Sequence, residues 1–197
     1  LLFIGTEQKV FLENAGTFND ITPIRSTVSL GTNPVNTTGG AGSGVVTITT
    51  QAAHGAIAGD FVTLASLTTT DGITAAQLNI EHKITSVPST TTFTITTAGS
   101  ATSGSTAGGG SSGTAAFQLN IGLNTTVLGS GWGAGTWGRF TWGSAAGSLS
   151  GQTLRLWSAD NFGEDLIFNI ADSTIYYWDA TNGTSTRAVE LASSTAL

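Results

Sequence analysis

The sequence predicts an all-β fold, part of a β-propeller with about two blades of antiparallel strands and a small β-barrel or sandwich module inserted between them. Three observations predict it. Only Ile73 to Asn79 (ITAAQLN) reads as a helical turn, whereas elsewhere β-branched and aromatic residues alternate with polar ones between Gly and Asn turns. The two ends of the chain share one plan: apolar strand, short polar turn, aromatic strand ending in an acid, Gly-containing turn, final strand. Between the ends lies a stretch of Thr, Ala, Gly and Ser with hardly any charge.

The first zone, residues 1–32, reads as three short strands. Leu1 to Gly5 (LLFIG), Lys9 to Glu13 (KVFLE) and Phe18 to Thr22 (FNDIT) are separated by polar turns, and Pro23, which has no N–H to give a ladder, ends the run. This spacing predicts a meander.

The second zone, residues 33–117, holds Val45 to Thr50 (VVTITT), Asp60 to Ala65 (DFVTLA), His82 to Val87 (HKITSV) and Thr91 to Thr97 (TTFTITT). Val46 with Ile48, and Phe93 with Ile95, fall on single faces at period two, as a half-buried sheet requires. Ala98 to Gly113 (AGSATSGSTAGGGSSG) reads as a flexible linker, because it has no side chains to offset the entropy of ordering. A compact unit bounded by Gly-rich stretches has the anatomy of an inserted domain.

The third zone, residues 118–197, holds all five Trp, three of them in GWGAGTWGRFTWG (131–143). Leu154 to Ser158 (LRLWS), Glu164 to Asn169 (EDLIFN), Thr174 to Asp179 (TIYYWD) and Arg187 to Leu191 (RAVEL) follow, four strands within the length of one propeller blade. LLFIGTEQKVFLENAGTFNDIT and DLIFNIADSTIYYWDATNGTSTRAVEL thus each read as the inner part of a blade. Two blades cannot close a ring, and the chain lacks an initiator Met, so we expect it to be a piece of a longer polypeptide.

Composition narrows the chemistry. The 197 residues carry 6 Lys plus Arg against 12 Asp plus Glu, a net charge of −6, with 35 Thr, 27 Gly and no Cys or Met. Charged residues make up 9% of the chain, against roughly 25% in a typical soluble domain. An acidic chain offers no basic surface to neutralise a row of phosphates, so tight nucleic-acid binding is not expected. Zero Cys removes disulfides, thiolate zinc sites, iron–sulfur ligation and cysteine nucleophiles. No apolar run approaches the ~18 residues of a membrane span. No metal or cofactor is expected.

The strongest candidate site is the Trp series. Trp132, Trp137 and Trp142 recur every five residues, each followed by Gly. The rings could cover the outer edge of a blade, anchor in a partner's pocket or stack on sugar faces. Asp160, Glu164, Asp165, Asp172 and Asp179 have neither the facing pair that glycoside hydrolysis needs nor the tight alternation that calcium needs, so they read as turn caps. His54 reads as a structural turn residue, since nothing places a Ser nucleophile and an orienting acid beside it, and His82, within a strand beside Glu81 and Lys83, reads as a surface position. No catalytic residue is expected.

IGTEQKVFLENAGTFNDITPIR (4–25), GWGAGTWGRFTWG (131–143) and LRLWSADNFGEDLIFNIADSTIYYWDA (154–180) resemble stretches of phage structural proteins, above all the tail nozzle (tail tubular) proteins of short-tailed bacteriophages. AAHGAIAGDFVTLA with ITSVPSTTTFTITT is similar to small β modules inserted in phage tail and fibre proteins. The resemblance implies a virion structural protein without catalytic residues, a propeller subunit in a homo-oligomeric ring, a hexamer. Adaptor and fibre proteins would be its neighbours, and DNA would leave the capsid through it without specific binding. An acidic surface suits such a duct, because it repels phosphates. Family members run to several hundred residues, longer than this chain. Two other readings stand beside this one: a tail-fibre or surface adhesin that meets a host glycan through Trp132, Trp137 and Trp142, and a propeller glycosidase using Asp160 or Glu164.

Overall fold

The computed structural model describes residues 1–122, 155–171 and 173–191. It begins with a three-stranded antiparallel meander of β1 (Leu2–Gly5), β2 (Val10–Asn14) and β3 (Thr17–Asp20). The β2–β3 hairpin turns on Ala15 (φ 49°) and Gly16 (φ 86°), between the paired Asn14 and Thr17. Two successive positive φ angles mark a type I′ turn, whose twist matches that of the strands it joins. Alternation along β2 buries Val10 and Leu12 and turns Phe11 and Glu13 to the other face, while Asn14, next to the turn, is exposed.

The chain then enters the module. Its strands are β4 (Ile24–Gly31), β5 (Val35–Asn36), β6 (Val45–Thr49), β7 (Phe61–Ala65), β8 (Glu81–Lys83), β9 (Ser86–Ser89), β10 (Thr92–Thr96), β11 (Ala107–Gly108) and β12 (Gly113–Gln118), with helix α1 (Ala75–Leu78) before β8. One sheet has the order β4-β12-β7-β8 and the other β11-β5-β6-β10-β9. Residues of both sheets meet in one core: Val62, Leu64, Ala115 and Phe117 from the first, Val46, Ile48, Phe93 and Ile95 from the second. Val46 pairs with Ile95 and Ile48 with Phe93 across β6 and β10, which is the period-two face read from the sequence. Each such fully buried side chain stabilises by about 1.5–3 kcal/mol.

Helix α1 is one turn long and begins with a capping box, in which the Thr74 side chain and the Gln77 side chain each bond the other residue's backbone. The turn places Leu78 wholly inside the core. Asn79, its C-cap, then bonds both the N–H and the carbonyl of Leu67 at 2.8 Å, so one side chain replaces a missing backbone partner.

After the module the chain forms β13 (Trp157–Phe162), β14 (Asp165–Ile170), β15 (Ile175–Trp178), a 3-10 turn (Ala180–Asn182) and β16 (Val189–Glu190), an antiparallel sheet in sequence order. Gly163 (φ 70°) takes the first position of the two-residue turn between the paired Phe162 and Asp165, the place where a II′ turn needs a positive φ. This sheet and the β1–β3 meander share a second core of Val10, Leu12, Ile21, Leu166, Phe168, Tyr176, Trp178 and Ala188. Phe3 stands 5.5 Å from Phe168, and Trp157 5.8 Å from it. The Trp157 and Trp178 indole N–H groups both find carbonyls, those of Thr6 (2.8 Å) and Thr186 (3.1 Å). We call these two sheets together the flanking unit.

The fold is therefore all-β, with four antiparallel sheets among the described residues and none closed into a barrel. Of the two architectures expected for the module, the sandwich forms and the barrel does not. No helix among the described residues is long and apolar enough to cross a membrane.

Two further expectations change. Residues 24–31, placed with the first zone, form β4 and pair along β12, so the module's own strands begin at Ile24 and end at Gln118. Residues 98–113, expected to be a flexible linker, are bonded into the module. Ala101 is 3% exposed and exchanges backbone bonds with Gly42 and Ser43, while β11 pairs with β5. What the sequence argument missed is backbone-to-backbone packing. A Cβ on Gly104 would lie 2.5 Å from the Cα of Gly40, an approach that only glycine permits.

Candidate functional site

Trp132, Trp137 and Trp142 lie outside the described residues. The described residues that flank their segment are neighbours: a Cβ on Gly122 would meet the Cβ of Arg155 at 2.7 Å, and Gly122 N–H donates to the Glu7 carbonyl at 2.6 Å.

Within the described residues, charge gathers at the joint between module and flanking unit. Lys9, in the turn before β2, donates from Nζ to Asp20 Oδ2 at 2.8 Å and also bonds Glu81 Oε1. Arg187, in the loop before β16, donates to Asp20 Oδ1 at 2.5 Å and to Glu81 Oε2 at 3.1 Å. Two cations and two anions thus alternate around a closed ring, with Lys9, Asp20 and Arg187 from the flanking unit and Glu81 from β8 of the module. Gln118 donates to the second oxygen of Glu81, and the Lys9 ammonium lies 4.3 Å from the centroid of Phe61. Burial alone would raise the Asp20 carboxyl, but Lys9, Thr22 and Arg187 together hold it below its ordinary value.

Asp60, fully buried, ties the chain leaving the module back onto it. Its carboxylate accepts from Ile57 N–H (2.9 Å), Ile121 N–H (2.8 Å) and Asn120 Nδ2 (2.5 Å). Arg25 and Arg155 face the same region, where burial lowers both guanidinium pKa values and the Asp60 charge opposes that shift. Arg155 also donates to the Asn120 carbonyl. Five of the chain's six basic residues are described, and all five stand around this joint, since Lys83 also reaches over Phe61.

Asp71 performs the comparable task inside the module. From a left-handed backbone (φ 50°) its carboxylate accepts from Ser103 N–H and Oγ, Gly104 N–H and Thr37 Oγ1, at 2.7–2.9 Å. The Ser103 hydroxyl is the foremost of the donors that depress its pKa.

The structure separates the other candidates. His54 sits in a turn, 2% exposed, with Nδ1 accepting from Ala56 N–H and its ring stacked on Phe117 at 5.2 Å. His82, expected at the surface, is instead 6% exposed and donates from Nε2 to the Leu78 carbonyl. The polar neighbours Glu81 and Lys83 misled the surface reading, because alternation in β8 turns His82 inward while they face out.

Of the third-zone acids, Asp179 caps the 3-10 turn and Asp160 accepts from Asn161 N–H. Asp165 accepts from Ala180 N–H and from the Tyr177 hydroxyl, which raises the Tyr177 pKa to about 12. Asp172 lies outside the described residues. The outer face of the β13–β16 sheet carries Phe162, Ile175 and Val189 exposed, and a shallow open depression there is lined by Ser158, Asp160, Ile167, Asn169 and Ile175 but not by Glu164. Among the described residues no three His, Cys, Asp or Glu gather as metal ligands.

Sequence reasoning passed over Lys9, Asp20, Glu81, Arg187, Asp60 and Asp71. A signal was present, because residues 33–117 contain only four charged residues, Asp60, Asp71, Glu81 and Lys83. Neither a protein-family model nor a curated protein matches the chain.

Proposed function

We propose that the chain is a structural component of a phage tail of the nozzle type, non-enzymatic, in which the two sheets of the flanking unit are consecutive propeller blades and the module is an insertion between them. The observation that carries this reading is the shared core of Val10, Leu12, Ile21, Leu166, Phe168 and Trp178, which packs two sequential meanders together although the module separates them in sequence. The outer face of the β13–β16 sheet, with Phe162, Ile175 and Val189 exposed, would then receive the next sheet of a longer propeller.

Electrostatics support the duct as well. The described basic side chains are drawn to the joint, so the rest of the described surface offers acids and hydroxyls. DNA would pass such a wall without counterion release and therefore without sticking. In this reading six copies assemble side by side into a ring, with adaptor and fibre proteins around it.

Negative-stain imaging of the virion with an antibody raised against this chain tests the proposal. Label in a symmetric ring beneath the portal is the expected result. Label at peripheral fibres would overturn it and favour the adhesin, whose own test is loss of host adsorption when Trp132, Trp137 and Trp142 are all replaced by Ala.

A further inference from the structure

The module and the flanking unit have separate hydrophobic cores with no residue in common. Among the described residues the chain crosses between them twice, at 20–24 and 118–121, and the crossings lie side by side, with Leu119 N–H donating to the Pro23 carbonyl at 3.1 Å. A two-strand stem of this kind can bend. Ile21 and Leu119 seat the stem in the flanking core, so the bend falls on its module side. There the contacts include the bonds of Asp60 to Asn120 and Ile121, that of Arg155 to Asn120, the Lys9 ammonium over Phe61 and the four-charge ring.

These links differ in which bodies they join. Asp60, Asn120 and Ile121 brace the stem against the module. The ring is different, since Glu81 belongs to the module and its three partners to the flanking unit. Side chains in the ring retain 13–29% of their exposure, so water and ions reach them.

We infer that the module is a hinged arm, locked in one attitude by Glu81 in the ring of Lys9, Asp20 and Arg187, and released when those charges are screened or Glu81 is neutralised. Release needs neither core to open, because neither contributes a buried apolar side chain to the other. The arm therefore swings as a folded body. Glu81 is faced by Lys9, Arg187 and Gln118, with His82 and Lys83 beside it on β8, and Asp20 is faced by Lys9, Arg187 and Thr22. Neutralising Glu81 leaves two cations against the single charge of Asp20, and reversing its sign leaves three.

Because the chain has no Cys, two introduced thiols can be labelled without background. Thr17→Cys at the β2–β3 hairpin and Thr90→Cys at the β9–β10 turn place one fluorophore on each body. Energy transfer is then read at salt concentrations of about 0.1 M and 1 M, where the screening length falls from roughly 10 Å to 3 Å. The parent should show one narrow distance at low salt and a broader, longer one at high salt. E81Q should be broad already at low salt, and E81K broader still. Equal distributions for the parent at both salt concentrations, or broadening that does not rank with the charge at position 81, would overturn the hinge. Hydrogen exchange at Val46, Ile48 and Phe93 separates the two ways of failing: protection should be unchanged in every arm, and its loss would mean that the module unfolds rather than swings.

Discussion

The module core is aliphatic, Val, Ile and Leu around the trio of Phe93, Phe117 and His54, and it is assembled from one continuous stretch of chain. The flanking core is aromatic, Phe168, Tyr176 and Trp178 with Phe3 and Trp157 packed against it, and it joins residues before the module to residues after it. Both solve the same problem of burying one face of each sheet. They differ in what links the strands. The module pairs strands distant in sequence, such as β4 with β12 and β6 with β10, and ties its loops with acids that bond backbone N–H groups, whereas the flanking unit builds each sheet from sequential hairpins and joins the two sheets through large rings. An insertion is tolerated where its host core closes without it, and the separation of the two cores meets that condition here.

The largest change that tests this separation is removal of the module. Excising Ile24–Gln118 and joining Pro23 to Leu119 through a short Gly bridge should leave a folded flanking unit, because those two residues are already hydrogen-bonded neighbours. Cooperative loss of Trp fluorescence on heating is the measurement, since every Trp lies after the module in sequence. A chain with no such transition would show that the flanking core depends on the module. Excising only residues 33–113 should do worse, because it strands β4 and β12 with Leu30, Ala115 and Phe117 uncovered.

Single truncations sharpen the same point. Phe117→Ala should cost the module about 3–5 kcal/mol, and Phe168→Ala should cost the flanking unit as much, since each removes a fully buried ring. Hydrogen exchange reads the module and Trp fluorescence reads the flanking unit. If each variant shifts only its own signal, the cores are independent; if Phe117→Ala shifts the Trp transition equally, they unfold as one.

How much of this was legible follows the same division. The module's inward face was readable because Val46, Ile48, Phe93 and Ile95 alternate cleanly with Thr. The terminal meanders were readable from their turns. The packing of one terminal meander on the other was not, because hydrophobic period gives a strand's face but not its partner across more than a hundred residues. The Gly/Ser stretch defeated composition for a different reason: its order comes from Asp71 and from close backbone contact, neither of which leaves a hydrophobic pattern. Where a segment has so few charges, each of its acids is a candidate structural staple, and Asp60, Asp71 and Glu81 all serve as one.

Acid should separate the two regions again, by a smaller amount. Both histidines, His54 and His82, belong to the module, and burial holds each imidazole below its ordinary value of 6.5. The unfolded chain therefore binds protons that the folded module refuses. The stability this confers is complete above pH 6.5 and is lost as pH falls toward the lowered values. Protonation would also remove the acceptor that His54 Nδ1 presents to Ala56 N–H. The flanking unit has no histidine, and Asp20 stays charged until pH falls below 3.8. Between neutrality and about pH 5, exchange in the module should quicken while the Trp transition holds its midpoint. A His82→Gln variant, able to keep the bond to the Leu78 carbonyl, should flatten that slope. Equal acid sensitivity in both regions would refute the assignment.

The smallest effect lies in the turns. Where the module takes a left-handed backbone at a residue other than glycine it uses Asn33 (φ 50°), Asp71 (φ 50°), Ser66 (φ 59°) and Ser105 (φ 56°), all with short polar side chains, and Asn and Asp tolerate that region best. The flanking unit uses Ala15 (φ 49°) at the first position of its type I′ turn, where Cβ crowds the following carbonyl. Asn followed by Gly is the preferred pair for such a turn, and Gly16 is already in place. Ala15→Asn should therefore stabilise the flanking unit by roughly 0.5–1 kcal/mol, read as a higher urea midpoint of the Trp signal with the slope unchanged. The converse, Asn33→Ala, should lower module stability by a similar amount and leave the Trp midpoint alone. An Ala15→Asn variant no more stable than the parent would mean that the hairpin does not hold this turn in solution, and with it would go the register that aligns Asn14 with Thr17 and carries Val10 and Leu12 into the aromatic core.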